Sequence, residues 1–310
     1  MSRILGFAFP GQGSQSPGML SEHFSQSKEV NQVFDISQEV LGIDFKKLIQ
    51  EGSAEDLSPT QITQPLLLTA NQALWKDLNI KPETVELMAG HSLGEYSAYV
   101  AAESITFEEA LELVSLRAKY MQEAVPEGEG GIAAIIGLSQ DQLLSICNQI
   151  TDSGQLVSMA NLNSENQVVI SGTKEGVDKA IEVCKESGAK RAIPLAMSVP
   201  SHCKLMTPAS QKFSLELDKI NLLPPKTKVI QNFSVSHSDD VQTIKDNLVS
   251  QLYTPVRWFE TMDYFIDAKI TEFYECGPSK VLTGLIKRRF DNVVLNSLDN
   301  YETLNLVKGK

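Results

Sequence analysis

Gly90-His91-Ser92-Leu93-Gly94 carries the clearest chemical content in this chain. An apolar run, Val85 to Ala89, reads as a buried strand before it, and a helix-like run through Ala102 follows. Gly-x-Ser-x-Gly between a strand and a helix is the nucleophile-elbow pattern. Glycines there let backbone pass backbone where a Cβ would clash. The sharp turn lifts the Ser92 hydroxyl above the sheet edge. The helix behind it aims free N–H groups and a positive dipole end at any oxyanion that forms.

A serine nucleophile needs a base, and the chain has only four histidines. His23 lies in an amphipathic segment with no chemistry around it, and His237 sits in the polar stretch Ser-His-Ser-Asp-Asp. His91 adjoins the serine and reads as an elbow or substrate contact. His202, in Ser198-Val199-Pro200-Ser201-His202-Cys203, lies where a strand gives way to a polar turn. It is the candidate base, with a structural histidine as the alternative. A third member is not evident. Alpha/beta-hydrolases run Ser, then Asp or Glu, then His. Asp141, Asp152 and Asp178 fall in that interval with nothing to mark them, and a backbone carbonyl would serve as well.

Arg117 shares a helical stripe with Ala110, Leu113, Val114, Met121 and Ala124. A charge facing a core is costly unless paired. It has an internal ion pair, or snorkels to an edge, or has the role of a guanidinium fork awaiting a substrate carboxylate. Gln12, in Pro-Gly-Gln-Gly-Ser-Gln, has glycines on both sides. Its exposed N–H could join that of Leu93 as an oxyanion hole, or the loop is a plain connection. It lacks the spacing and lysine of a nucleotide-binding loop.

The elements that must position these residues alternate. A strand at 4–9, helical periodicity over 28–50 and 61–79, the elbow strand and its helix, and a helix at 107–124 predict a parallel sheet covered by helices. Pro126-Glu127-Gly128-Glu129-Gly130-Gly131 reads as a hinge. After it the order becomes β-α-β-β-α-β, the ferredoxin-like pattern. The expectation is therefore a large α/β domain, with an alpha/beta-hydrolase-like parallel sheet, over 1–128 and 198–310. A small ferredoxin-like α+β subdomain is inserted at 129–197. Further strands are expected at 228–233 and 271–275, with helices at 244–252 and 281–289. The last ten residues read as loosely held.

The chain has 310 residues, with 39 acidic and 27 basic side chains and a formal net charge of −12. That balance argues against nucleic-acid binding, which needs a basic footprint. No apolar stretch approaches a membrane span. Cys147, Cys184, Cys203 and Cys276 have no metal-clip or CxxC spacing, and read as reduced thiols of a cytoplasmic protein.

Together the motifs GFAFPGQGSQSPGM, TQPLLLTANQALW, AGHSLGEYSAYVAA, LRAKYMQEAVPEG, NSENQVVISG, SVPSHCKLM, QLYTPVRW and YECGPSKVLTGL resemble the malonyl-CoA:acyl carrier protein transacylase family of type II fatty-acid synthesis. They run in order from about residue 3 to 290. The resemblance implies an acyltransferase with Ser92 as nucleophile and His202 as base. It implies Gln12 and Leu93 as oxyanion donors, and Arg117 as the malonyl carboxylate site. Gln251 matches the position whose carbonyl orients the histidine, and Asn161 a position lining the site. Gln231-Asn232-Phe233-Ser234-Val235-Ser236 follows the family's Asn-rich strand only loosely. The implied partners are malonyl-CoA and acyl carrier protein, with no cofactor or metal, acting as a monomer. A serine hydrolase on the same elbow is the rival reading. A non-catalytic carrier-protein-binding domain is a third, though it would not need Ser92 and His202. Lys185, Lys190, Arg191, Lys280, Lys287, Arg288 and Arg289 are the densest basic groups, either a docking patch for an acidic carrier protein or solvated helix ends.

Overall fold

The computed structural model describes residues 3–196, 199–287, 289–290 and 293–308. Five strands form one wholly parallel sheet: β1 (Leu5–Phe9), β2 (Leu87–Gly90), β7 (Lys228–Ile230), β8 (Glu272–Glu275) and β9 (Val294–Ser297). Their order is β7-β2-β1-β8-β9. The central strands are buried on both faces, which explains their continuous apolar sequence. Phe7 stacks on Tyr274 at 4.9 Å and meets the edge of Trp75 at 5.2 Å, so the sheet is locked to the helix Thr60–Leu78.

A second sheet is antiparallel, in the order β4-β5-β3-β6. Its strands are β3 (Gly130–Ile136), β4 (Val157–Ser164), β5 (Gln167–Thr173) and β6 (Arg191–Pro194). With the helices Gln140–Asp152 and Lys174–Glu186 it has the ferredoxin-like arrangement and its own apolar core. The α/β class, with a parallel sheet and a smaller antiparallel one, is thus present. Strand β4 leans on the larger part of the chain: Leu162 N–H donates to Val256 O at 2.9 Å, and Val256 N–H to Ala160 O at 2.8 Å. Met197 and Ser198, where the larger domain was expected to resume, lie outside the described residues.

Several elements differ from the sequence expectation. The segment 28–50 is two helices, Lys28–Leu41 and Phe45–Glu51. Gly42, at φ +70°, ends the first in the left-handed region, and Asp44 caps the second. The strand expected at 228–233 stops at Ile230, because the Gln231 N–H donates to Ser236 O and the Asn232 N–H to Glu95 Oε2 rather than to a neighbouring strand. Of the last ten residues, read as loosely held, the described eight are not loose. Tyr301–Lys308 is a helix with Leu304 and Val307 buried, and Lys308 pairs with the buried Asp77 at 2.5 Å. The helix after Gly277-Pro278 spans Val281–Ile286 and is capped by the Glu275 carboxylate, which accepts from Leu282 and Thr283 N–H. Helices Thr207–Leu217 and Trp258–Asp267 and strand β9 were not anticipated.

Two glycines should respond oppositely to alanine. A Cβ on Gly90 would lie 1.8 Å from the Gly94 carbonyl carbon, so Gly90→Ala should destabilise by more than about 4 kcal/mol. Gly284 is exposed in a helix with nothing within 4 Å of its would-be Cβ, so Gly284→Ala should stabilise by about 0.5–1 kcal/mol. Urea melts of both variants check the sign.

Candidate active site

Parallel neighbours release their loops at the same sheet edge, where α/β folds bind ligands. The loop after β1 carries Gly11 and Gln12, and the turn after β2 carries His91 and Ser92. Both reach one cleft. The turn is tight enough to need its glycines: a Cβ on Gly94 would lie 1.9 Å from Phe9 O, and one on Gly11 2.3 Å from His91 O. Ser92 sits at φ +54°, a left-handed conformation costly for a side-chain-bearing residue. Its backbone N–H is held by Asn232 Oδ1 at 2.7 Å, while Asn232 Nδ2 donates to Gly90 O at 2.7 Å.

His202 Nε2 lies 2.7 Å from Ser92 Oγ. Its Nδ1 lies 2.8 Å from the Gln251 backbone oxygen. A carbonyl can only accept, so Nδ1 carries the proton and Nε2 is left to accept from the serine hydroxyl. Among the described residues no carboxylate is hydrogen-bonded to His202. Asp178 pairs instead with Lys174 on its own helix, and Asp141 and Asp152 lie at the two ends of the helix Gln140–Asp152. His202 is itself at φ +61°, with its N–H held by Leu252 O at 3.0 Å. Burial, and next the charge of Arg117, push its pKa down to about 3, so the ring is neutral.

Arg117 is 1 % exposed on the helix Phe107–Ala124, whose N-terminus is fixed by the reciprocal Thr106–Glu109 capping box. Its guanidinium donates to Gln64 Oε1, to Gln251 Oε1 at 3.0 Å and to Ser92 Oγ at 3.3 Å. It lies 5.3 Å from the Tyr96 ring centre. Its Nε–H has no acceptor among the described residues, and it makes no ion pair among them. Neutral amide oxygens and an aromatic face hold this cation.

The cleft is also lined by Leu93, His91, Asn161, Met121 and, as an apolar wall, Val281, Leu282 and Leu285. Neither Gln12 nor Leu93 N–H donates to an acceptor among the described residues. The Gln12 side chain is tied back by Thr60 at 3.1 Å. His91 Nε2 lies 2.9 Å from Asn163 Oδ1 and its ring packs 5.4 Å from Trp258. Sequence reasoning missed Gln64, Asn163 and Glu95 and left the contacts of Asn232 open; all four hold other residues of the site. His23 and His237 are elsewhere: His23 is buried against Leu298 O, and His237 does not line the cleft.

The acyl transferase domain family matches residues 6–307 of the chain. The malonyl CoA-acyl carrier protein transacylase of Salmonella typhimurium is 47% identical over 300 residues, covering 96% of this chain and 97% of that protein. The chain belongs to this transacylase family. The Bacillus subtilis relative is 43% identical, covering 99% and 96%. The transacylase structure from Coxiella burnetii superposes with a TM-score of 0.95 at 44% identity, over 100% of this chain and 98% of that one. A malonyl-transacylase solved in complex with a type II polyketide acyl-carrier protein also superposes at 0.95 and 44% identity, over 99% of each chain. Among the described residues of this family member no helix is long and apolar enough to cross a membrane.

Neutral His202 has a consequence for stability. Below pH 6.5 the unfolded chain protonates at this position and the folded chain does not, so the group withdraws stability as pH falls through 6.5 towards 3. Between pH 8 and pH 5 this amounts to about 2 kcal/mol. His202→Gln should remove that share of the pH dependence in paired urea melts. An unchanged dependence would contradict a neutral, buried ring.

Proposed function

We propose that this acyltransferase moves a malonyl group from coenzyme A to the phosphopantetheine thiol of acyl carrier protein through malonyl-Ser92. The observation that carries the reading is Arg117, a buried guanidinium without an ion pair, 3.3 Å from the serine oxygen. A substrate carrying a free carboxylate beside its thioester supplies the missing anion.

In the first half-reaction Ser92 Oγ attacks the thioester carbonyl as His202 Nε2 takes its proton. The Gln12 and Leu93 N–H groups receive the oxyanion. The C–S bond breaks, and the proton passes from His202 to the departing coenzyme A sulfur. In the second, the carrier thiol gives its proton to His202 and attacks malonyl-Ser92, and the proton returns to Ser92 Oγ. Atoms balance without a cofactor, and none is proposed. Pairing of Arg117 with the malonyl carboxylate also cancels part of the charge that depresses His202, so the bound substrate strengthens the base that acts on it. His91 and Asn161 line the acyl pocket, and the Gln251 carbonyl orients His202. The domain division at 129–197, a monomeric state and a cytoplasmic setting belong to the same reading; the four free cysteines support a reducing compartment.

Brief exposure to malonyl-CoA alone should leave a persistent adduct of about 86 Da on Ser92, one malonyl group. Steady release of malonate without an adduct would favour a hydrolase. Arg117→Ala should lower kcat/KM for malonyl-CoA by about 100-fold, near 3 kcal/mol, while acetyl transfer changes far less. Equal losses would remove Arg117 from carboxylate recognition.

The apolar wall of the cleft is flanked by Lys280 and Lys287, both exposed. Lys280 approaches Asp299 at 3.7 Å, and Arg289 is engaged by Asp263 and the Phe259 ring. Arg288 lies outside the described residues. Lys287 is the member we assign to carrier-protein docking. Lys287→Glu should raise the carrier-protein KM about threefold to tenfold at low salt and leave acylation by malonyl-CoA unchanged. An unaltered KM would take Lys287 out of the patch.

A further inference from the structure

The reaction above gives no task to Glu95, which is fully buried on the first turn of the helix Gly94–Ala101. Its Oε2 accepts from Gln251 Nε2 at 2.7 Å and from the Asn232 backbone N–H at 3.0 Å. Those two residues touch the base, the guanidinium and the elbow. The Gln251 carbonyl orients His202, its Oε1 accepts from Arg117, and its Nε2 also reaches Ser92 O at 3.0 Å. Asn232 spans the elbow from Ser92 N–H to Gly90 O. We propose that Glu95 is a positioning residue, whose one carboxyl oxygen fixes Gln251 and Asn232 and through them sets the base, the guanidinium and the elbow in a single frame.

The argument is about polarity. A glutamine amide has two ends of similar shape and opposite hydrogen-bonding sense. An acceptor at Glu95 Oε2 draws Nε2 to itself and leaves Oε1 for Arg117. With the amide reversed, an NH2 would face the guanidinium and an oxygen would face a carboxyl oxygen, leaving buried groups unsatisfied. The task needs an acceptor, not a charge. Burial pushes the Glu95 pKa up to about 7, and Oε1 has no partner among the described residues. A proton carried on Oε1 leaves Oε2 accepting as before.

This inference rests on the acyl-transfer reading, and the test separates the two. Glu95→Gln keeps an acceptor oxygen in place and removes the charge. Glu95→Asp keeps the charge and withdraws the acceptor by about 1.5 Å. Each is assayed with malonyl-CoA and acetyl-CoA, below the melting temperature of both variants. E95Q should stay within about threefold of the parent in kcat for both thioesters. E95D should lose about tenfold to a hundredfold in kcat with both, since ångström displacements cost that much. Its malonyl-over-acetyl ratio should fall as well, and should not fall further in an Arg117→Ala background. E95Q failing to fold, or losing as much as E95D, would overturn the proposal in favour of a charge effect. E95D that keeps parental kcat and ratio, or does not fold while E95Q does, would overturn it in favour of a structural role only. A parent chain that never forms malonyl-Ser92 would instead sink the reading beneath it.

Discussion

The site depends on one constraint: a guanidinium taken out of water with no carboxylate paired to it among the described residues. An isolated buried cation costs several kcal/mol. Here the cost is spread over Gln64 Oε1, Gln251 Oε1, the Ser92 oxygen and the face of Tyr96. Each of those partners is thereby fixed in place. Gln64 is held in turn by Thr60 at 2.7 Å, and Thr60 by the Gln12 loop. The loop that carries the proposed oxyanion donor and the helix that carries the cation are linked through one chain of amides and hydroxyls.

The second constraint is close backbone approach. Ser92 stays in its left-handed conformation because the surroundings over-determine it: Asn232 grips the turn from outside, and Gly90, Gly94 and Gly11 let three chain segments meet inside the radius of a side chain. A strained elbow is affordable only on a rigid sheet, and β1 and β2 supply that through the register Ala8 to Ala89 and Phe9 to Gly90.

Much of this was legible in the sequence, for identifiable reasons. Gly-x-Ser-x-Gly and Pro-Gly-Gln-Gly announce tight backbone, and Arg117 breaks an apolar helical stripe. The small sheet was readable because alternation of strands and helices within about sixty residues leaves few topologies. What stayed hidden were residues whose partners are distant in the chain. Nothing local says that Asn232 holds a serine 140 residues away, or that Gln64 reaches Arg117, 53 residues on. Glu95 did have a signal of the same kind as Arg117, a lone charge in Gly-Glu-Tyr-Ser-Ala-Tyr-Val-Ala. The helix at 301–308 was hidden because its anchor, Asp77, is far upstream.

The absence of a triad acid also follows from the cation. A carboxylate in the place of the Gln251 carbonyl would orient His202 equally well, but would bring a full negative charge into a pocket whose guanidinium is unpaired. Arg117 would pair with it, and a substrate carboxylate would then have to compete with an internal anion already in place. A neutral carbonyl fixes the tautomer of His202 without supplying that competitor. The Glu95 carboxyl stands behind the Gln251 amide and accepts no hydrogen bond from the guanidinium. Its pKa near 7 leaves it partly uncharged at neutral pH. Base orientation by backbone and a cation held by amides are therefore a single solution: each keeps the pocket's positive charge free for the acyl group that the cleft is proposed to receive.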